Sequence, residues 1–505
     1  MKWLASRRWR IFLIAWLIYS VHFATNVVRE HYPAFTIAEH GTFRVDEYLG
    51  FHADIFKHRD GHAVIGNQVF VSVLAAIPLF VFDPVLDWLE AKSKDKIARE
   101  GVSNDHYRID KPMRVEFFRL VKARGLDLRF GAATFITCAF FQAPITAAFL
   151  VYFYGVLRRR GLEAGDATAL TFLLGFGTPL FYRSTTLSHN LFVMYPMFFA
   201  FVLMWMRGSE RAPVGRRLLI GLFSGLTLAT DYVGVIILPM LYGYFIVTRA
   251  RGSSWGTAFR ESLAIVAGTL PPIAFLLWSQ WVMYGNPFTP GQVWMPIQNE
   301  YVEVGARGWT LPDPQLIYMN LFDPSFGLYT WAPLLLLALV PTFRYPAESL
   351  VLPRFERRWL VLTSIVFVLF ASANQYSRLQ FNSGFRYLIP LVPFLMLALA
   401  DHWKRLPRPW RIGIGAVVLM HSWVLTVFRE PVGKAWQMFL AEGPGLPWYR
   451  VLSLTASPDN RWLDTWWVPT VLLAVTAATA AAIWRIGSRL EKKERLEEAY
   501  GVSQP

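Results

Sequence analysis

Long apolar runs separated by short basic segments dominate the chain. Runs at about 11–28, 130–157, 167–183, 189–206, 217–231, 233–248, 262–284, 324–341, 359–376, 385–401, 411–428 and 466–484 approach the roughly 20 residues a helix needs to cross a bilayer core. No water reaches backbone N–H and C=O groups there, so such runs predict α-helices. The fold class expected is an all-α polytopic membrane protein of about twelve transmembrane helices. A further run, 69–88, ends in Phe82-Asp83-Pro84 and Asp87 and is expected to be an interfacial or re-entrant helix that does not cross.

Charge orders these spans. If 69–88 stays on one side, Arg158-Arg159-Arg160, Arg216-Arg217, Arg249 with Arg251, Arg357-Arg358, Lys404-Arg405 and Lys492-Lys493 all share the side of the basic N-terminus; if it crosses, all six clusters lie opposite. The positive-inside rule favours the first arrangement, with both termini cytoplasmic in a bacterial inner or plasma membrane. The expectation is one transmembrane domain over 1–505, with residues 29–129 as a long first external loop carrying interfacial helices. Further external loops follow at 285–323 and 429–465, with short ones at 184–188 and 377–384. The basic stretch 89–129 fits this topology least well and suits a position against anionic headgroups.

Composition agrees with a membrane setting: 54% of residues are hydrophobic and only 17% charged, more apolar than ordinary soluble domains. The net charge of +15 resides in short segments between apolar runs rather than in one basic face, which argues against a nucleic-acid partner. The single cysteine, Cys138, excludes an intrachain disulfide framework and a cysteine-based zinc site. The first run follows Lys2, Arg7, Arg8 and Arg10 like a signal peptide, but no small-residue cleavage site precedes Arg29-Glu30, so it is expected to stay as the first span.

Candidate chemistry gathers in the expected external loops. The pattern of Tyr48, Leu49, Phe51, Ile55 and Phe56 fits an amphipathic surface helix over Phe43–Arg59 carrying Asp46, Glu47 and Asp54. On such a helix Asp46 and Asp54 would stand about 12 Å apart, too far to share a proton, so one would meet the reacting atom while the other binds or positions. Asp46 is the first choice as reacting carboxylate; it also suits an N-cap, and Asp54 and Glu47 a solvated face. Arg386 would sit at headgroup level, able to grip phosphate oxygens bidentately or to snorkel, next to the interfacial aromatic Tyr387. His62 and His189 could help bind a sugar or a metal, or satisfy local hydrogen bonds. Asp231 and Asp323 suit caps or turns better than catalysis. The sequence has no H-E-x-x-H, P-loop or G-x-S-x-G motif, which argues against a zincin protease, a P-loop motor and a serine-type hydrolase.

Asp46-Glu47-Tyr48, Gly61-His62 with Ala76-Ile77-Pro78-Leu79-Phe80, Tyr284-Gly285-Asn286-Pro287-Phe288, Asn320-Leu321-Phe322-Asp323-Pro324 with Gly327-Leu328-Tyr329, and Gly384-Phe385-Arg386-Tyr387-Leu388-Ile389-Pro390 follow one another in an order that resembles the GT-C membrane glycosyltransferases. That group includes protein O-mannosyltransferases and the aminoarabinose transferases of lipid A. The resemblance implies that Asp46 is a general base, that Arg386 holds a polyprenyl-phosphate carrier and that transfer inverts the anomeric carbon. Two departures stand out. A Lys-Pro-Pro-Gly-like stretch reads Ile65-Gly66-Asn67-Gln68, which makes Asn67 a substrate-binding candidate, and an arginine of the eighth-span motif is replaced around Ser325-Phe326.

The function expected is an inverting transferase that moves a sugar from a polyprenyl-phosphate donor to a glycan, lipid or protein hydroxyl on the non-cytoplasmic face. Membrane lipids surround it, and the sequence leaves open a divalent cation bridging the phosphate to Asp46 or Asp54. The rival readings are a transporter or flippase of a lipid-linked glycan, which should carry ionisable groups near mid-bilayer, and a non-catalytic assembly subunit on the same scaffold.

Overall fold

In the computed structural model, residues 2–102, 109, 111–206, 212–297, 300–340, 351–379, 386–455 and 465–499 are described. Helices account for nearly all regular structure, and the sheet among the described residues is one two-stranded hairpin. The helices Phe70–Glu100, Asp127–Arg159, Trp255–Tyr284, Arg408–Phe428 and Trp467–Glu497 are long and apolar enough to cross a membrane. Ala164–Phe176 and His189–Trp205 are apolar but shorter. The run 324–341 yields, in its described part, the four-residue helix Leu328–Trp331, the 3-10 turn Pro333–Ala338 and α-helical residues at 339–340. Gly384 and Phe385, which precede Arg386 in the family-like motif, lie outside the described residues.

Two sequence expectations are corrected. The helix expected over 69–88 does not stop there but continues through Pro84 into the uninterrupted 31-residue helix Phe70–Glu100. At 1.5 Å per residue that helix is about 46 Å long, more than a hydrocarbon core requires. Ile77, Phe80, Val81, Val85 and Trp88 stand exposed along one stripe, while Val71, Ala75, Ala76 and Leu79 are buried. Nor is Phe43–Arg59 an amphipathic helix. It folds as the 3-10 turn Asp46–Tyr48 followed by the strand Ile55–Lys57, which pairs antiparallel with Ala63–Ile65 in the register Ile55↔Ile65, Phe56↔Val64, Lys57↔Ala63. Gly50 and Gly61 take φ of 93° and 86°, a left-handed region that interrupts any helix there.

The chain divides into two compact units: Met1–Asn26, Pro84–Thr186 and Gly415–Pro505 form one; Val27–Asp83 and Leu187–Ile414 form the other. In the first unit, Arg10 is fully buried on the helix Arg7–Val21, where it donates to Ser488 Oγ at 2.6 Å, pairs with Glu491 and lies over the Trp484 ring at 4.8 Å. A buried ion pair contributes little net stability, but it fixes which faces of the first and last helices meet.

In the second unit the helix Val214–Thr230 packs on Trp255–Tyr284 through glycines. A Cβ on Gly221 would collide with the Ile265 carbonyl, one on Gly268 with the Leu218 carbonyl, and one on Gly225 would lie 2.8 Å from the Thr269 oxygen. Small residues let two helix backbones approach where lipid offers no hydrophobic drive to associate. The opposite face of Trp255–Tyr284 exposes Trp255, Phe259, Leu263, Val266 and Leu270 at helical spacing. Nearby, Phe201 stacks on Trp359 at 4.8 Å beside Tyr244 and Phe394, forming an aromatic core.

Candidate active site

Five elements of the second unit bring charged groups together. Glu30 precedes the helix His31–His40, and its backbone carbonyl accepts from Ser72 Oγ at 2.8 Å. Asp54 sits immediately before the first strand of the hairpin and Asn67 two residues after the second, so the ladder that pairs Ile55 with Ile65 sets them side by side. Gly66 N–H donates to the Asp54 carbonyl at 3.0 Å and closes that end of the ladder. His189 begins the helix His189–Trp205, and Asp231 follows Val214–Thr230, its Oδ1 accepting from Val233 N–H at 3.0 Å.

Arg29 is the hub. Its Nε donates to Glu30 Oε1 at 3.1 Å, one terminal nitrogen donates to Asp54 Oδ2 at 3.2 Å, and the other lies 3.1 Å from His189 Nε2. A planar fork suits this three-way contact, which a lysine point charge could not make. His189 Nδ1 is 2.5 Å from Glu30 Oε1, while its Nε2 is 3.1 Å from Asp231 Oδ2 and 3.1 Å from Asn190 Nδ2. With a neutral ring, Nδ1–H donates to Glu30 and Nε2 accepts from Arg29 and Asn190; with a second proton, Nε2 donates to Asp231 instead. The tautomer and protonation state therefore decide whether Nε2 serves Arg29 and Asn190 or Asp231.

Asp54 uses its two oxygens differently. Oδ2 accepts from Arg29 and from Asn67 Nδ2 at 3.0 Å and lies 3.9 Å from His52 Nδ1, whereas no hydrogen bond among the described residues falls on Oδ1. Its side chain is 19% exposed. Burial pushes the Asp54 carboxyl up, but Arg29 beside it, followed by His52 and the Asn67 hydrogen bond, outweighs that and holds it below the usual carboxylate range. Glu30 is likewise held low: burial opposes ionisation, and His189 and Arg29 overcome it. Asp231 follows the same pattern, with burial opposed by the His189 contact. His52 Nδ1 accepts the Asp54 backbone N–H at 3.0 Å, and burial lowers its ring below the ordinary histidine range.

A cation and two phenols complete the setting. A terminal nitrogen of Arg386 donates to the Tyr387 hydroxyl at 3.1 Å, and its Nε has no hydrogen-bond partner among the described residues. Asn374 Nδ2 also reaches that hydroxyl, at 3.4 Å. Tyr376 is raised above the usual phenol range by burial and then by Asp54 and Tyr387, with Arg307 and Arg386 pulling the other way.

Of the residues singled out from sequence, Asp54, Asn67 and His189 meet here, and Arg386 adjoins Tyr387. Asp46 stands elsewhere: Oδ1 accepts Ala63 N–H at 2.6 Å, Oδ2 is 3.1 Å from His62 Nδ1, and the side chain is 49% exposed. Slight burial would raise its carboxyl, but the Ala63 N–H and His62 pull it below the usual range. These bonds pin the turn to the hairpin. Glu47 faces His40, and Glu39, His40 and Glu47 offer three ligand atoms within 4.8 Å of one another on an exposed surface where such groups are common without an ion. Asp323 acts as expected of a cap, its Oδ1 accepting from Ser325 and Phe326 N–H at 2.7 and 3.1 Å. Sequence reasoning missed Arg29, Glu30, His52 and Tyr376. The Arg29-Glu30 pair immediately after an apolar run was the available signal, since charge at a span end demands a partner. No family model matches the chain, nor does any curated protein or solved structure.

Proposed function

We infer that the chain is a membrane-embedded glycosyltransferase that moves a sugar from a polyprenyl-phosphate carrier to an acceptor hydroxyl on the non-cytoplasmic face, with Asp54 as its reacting carboxylate. The observation that carries this reading is the division of labour at Asp54. Arg29 and Asn67 orient the carboxylate through Oδ2, which leaves Oδ1 to take an acceptor proton. Being ionised at neutral pH, Asp54 is a weak base in the ground state, but it accepts the proton as the hydroxyl attacks and grows acidic.

Departure of the carrier turns a phosphodiester with one negative charge into a monoester approaching two, and a cation is needed where that charge grows. Arg386, which donates to the Tyr387 hydroxyl, supplies it in this proposal. Arg29 alone does not balance Glu30, Asp54 and Asp231, and this excess negative charge suits a divalent ion as a bridge to the phosphate. The five long apolar helices support the lipid-soluble carrier class.

The test is incubation of purified protein in liposomes with labelled polyprenyl-phosphate sugar and acceptor lipid. Asp54→Asn should lower transfer by about 10²- to 10⁴-fold, the usual contribution of a positioned base, while Asp46→Asn retains most of it. Transfer undiminished in Asp54→Asn, or movement of the carrier across the bilayer with no transfer, would reject the proposal.

A further inference from the structure

The first unit holds a second concentration of charge that the proposed transfer reaction does not use. Beyond the helix Arg408–Phe428, Arg429 takes φ of 53°, a left-handed conformation that strains a residue with a Cβ. Only 7% of Arg429 is exposed. Its guanidinium carbon lies 3.8 Å from the centre of the Tyr182 ring, and one terminal nitrogen donates to Thr185 Oγ1 at 3.3 Å. Its Nε has no hydrogen-bond partner, and no carboxylate pairs with it among the described residues.

The next residue draws in more positive charge. Buried Glu430 receives Lys111 Nζ at 2.7 Å, lies 3.6 Å from Arg114 and lies 3.8 Å from Lys434 Nζ. Arg114 is also close enough to repel Arg429. Three cations thus surround one carboxylate, and Arg429 precedes that carboxylate in the chain without pairing with it. An arginine does not give up its charge, and burial without a carboxylate partner disfavours that charge although Tyr182 and Thr185 accept hydrogen bonds from it. The strained backbone turns that ion inward, toward hydroxyl-rich Ser184-Thr185-Thr186, where Ser184 Oγ and Thr186 Oγ1 are buried without hydrogen-bond partners. A tetrahedral dianion matches this set: it accepts from a guanidinium edge, from ammonium groups and from hydroxyls at once.

We propose that Arg429, flanked by Arg114, Lys111 and Lys434, binds a phosphate group, carried either by an anionic lipid headgroup or by free phosphate. The site is built wholly from the first unit and shares no residue with the Asp54 cluster, so it stands or falls separately from the glycosyltransferase reading.

The experiment uses the full-length protein in nanodiscs. Thermal stability is recorded during titration with inorganic phosphate and pyrophosphate in phosphatidylcholine discs, and again without added phosphate in discs containing phosphatidic acid. Stabilisation by the soluble anions alone identifies free phosphate as the ligand, and stabilisation by phosphatidic acid identifies a headgroup. Arg429→Gln should weaken the response by tenfold or more in concentration, the scale of one charge-assisted hydrogen bond, while the ligand-free variant melts no lower than the parent because an unpaired charge has been removed. Arg114→Gln, at a more exposed position, should weaken binding by several-fold and keep the fold should Arg429→Gln fail to express. Responses identical in the parent and in Arg114→Gln and Arg429→Gln, or the absence of any response in both kinds of disc, would overturn the proposal.

Discussion

Arg29 joins three partners through one rigid group, and its removal should cost more than the loss of any single hydrogen bond. Arg29→Met strips the guanidinium from both carboxylates and leaves Glu30 with His189 and Asp54 with Asn67 and His52, a change worth about 3 kcal/mol of stability at such a site, readable in thermal melts. The depressed carboxyls also set an acid limit. Asp54 and Glu30 ionise more readily folded than unfolded, so their contribution to stability is complete above the unfolded value of about 4 and disappears as pH falls through the lower folded values. His52, held by burial below the ordinary histidine range, subtracts stability as pH falls below about 6.5, so melting temperature should decline gently from there and steeply below about pH 4, with a shallower steep phase in Asp54→Asn. An equal drop in that variant would contradict the assignment. The sequence made Asp54, Asn67 and His189 legible as polar groups beside apolar runs, but ranked Asp46 first. Ranking depends on partners such as Arg29 and His52, which only the folded backbone brings near.

The pair Val214–Thr230 and Trp255–Tyr284 depends on absent side chains. Gly221→Ala and Gly268→Ala each drive a methyl group into a backbone carbonyl of the partner helix, and overpacking of this kind costs about 1–3 kcal/mol. Gly413→Ala, where a Cβ would meet nothing within 4 Å, is the control expected to leave the melting temperature unchanged or slightly higher. Most helices were visible in the sequence because a long apolar run has few other stable forms in lipid. The hairpin was not, since an apolar pattern as short as Phe51 to Phe56 suits a strand as well as a helix. Asp60-Gly61 carried the deciding signal: an Asp-Gly pair between Ile55-Phe56 and Ala63-Val64-Ile65 is a hairpin turn before it is a helix.

Over the whole chain, the length of Phe70–Glu100 bears on which side each later segment faces. If this helix crosses, cysteines placed at Thr42 and at Lys96 label from opposite faces of sealed vesicles; labelling of both from one face would return the segment to the surface role expected from its Asp83-Pro84 break. Cys138, buried and donating to the Tyr19 and Ser184 carbonyls, will not confuse the readout. The count of about twelve spans came from hydropathy alone, which registers apolar length but not the breaks that divide 328–338 into a four-residue helix and a 3-10 turn. The rungs Ile55↔Ile65 and Phe56↔Val64 bear on inheritance as well as chemistry. Because Asp54 and Asn67 are anchored at the foot of that ladder, the tip between His58 and His62 can gain, lose or exchange residues over generations while these two side chains keep their places, provided the rungs stay in step.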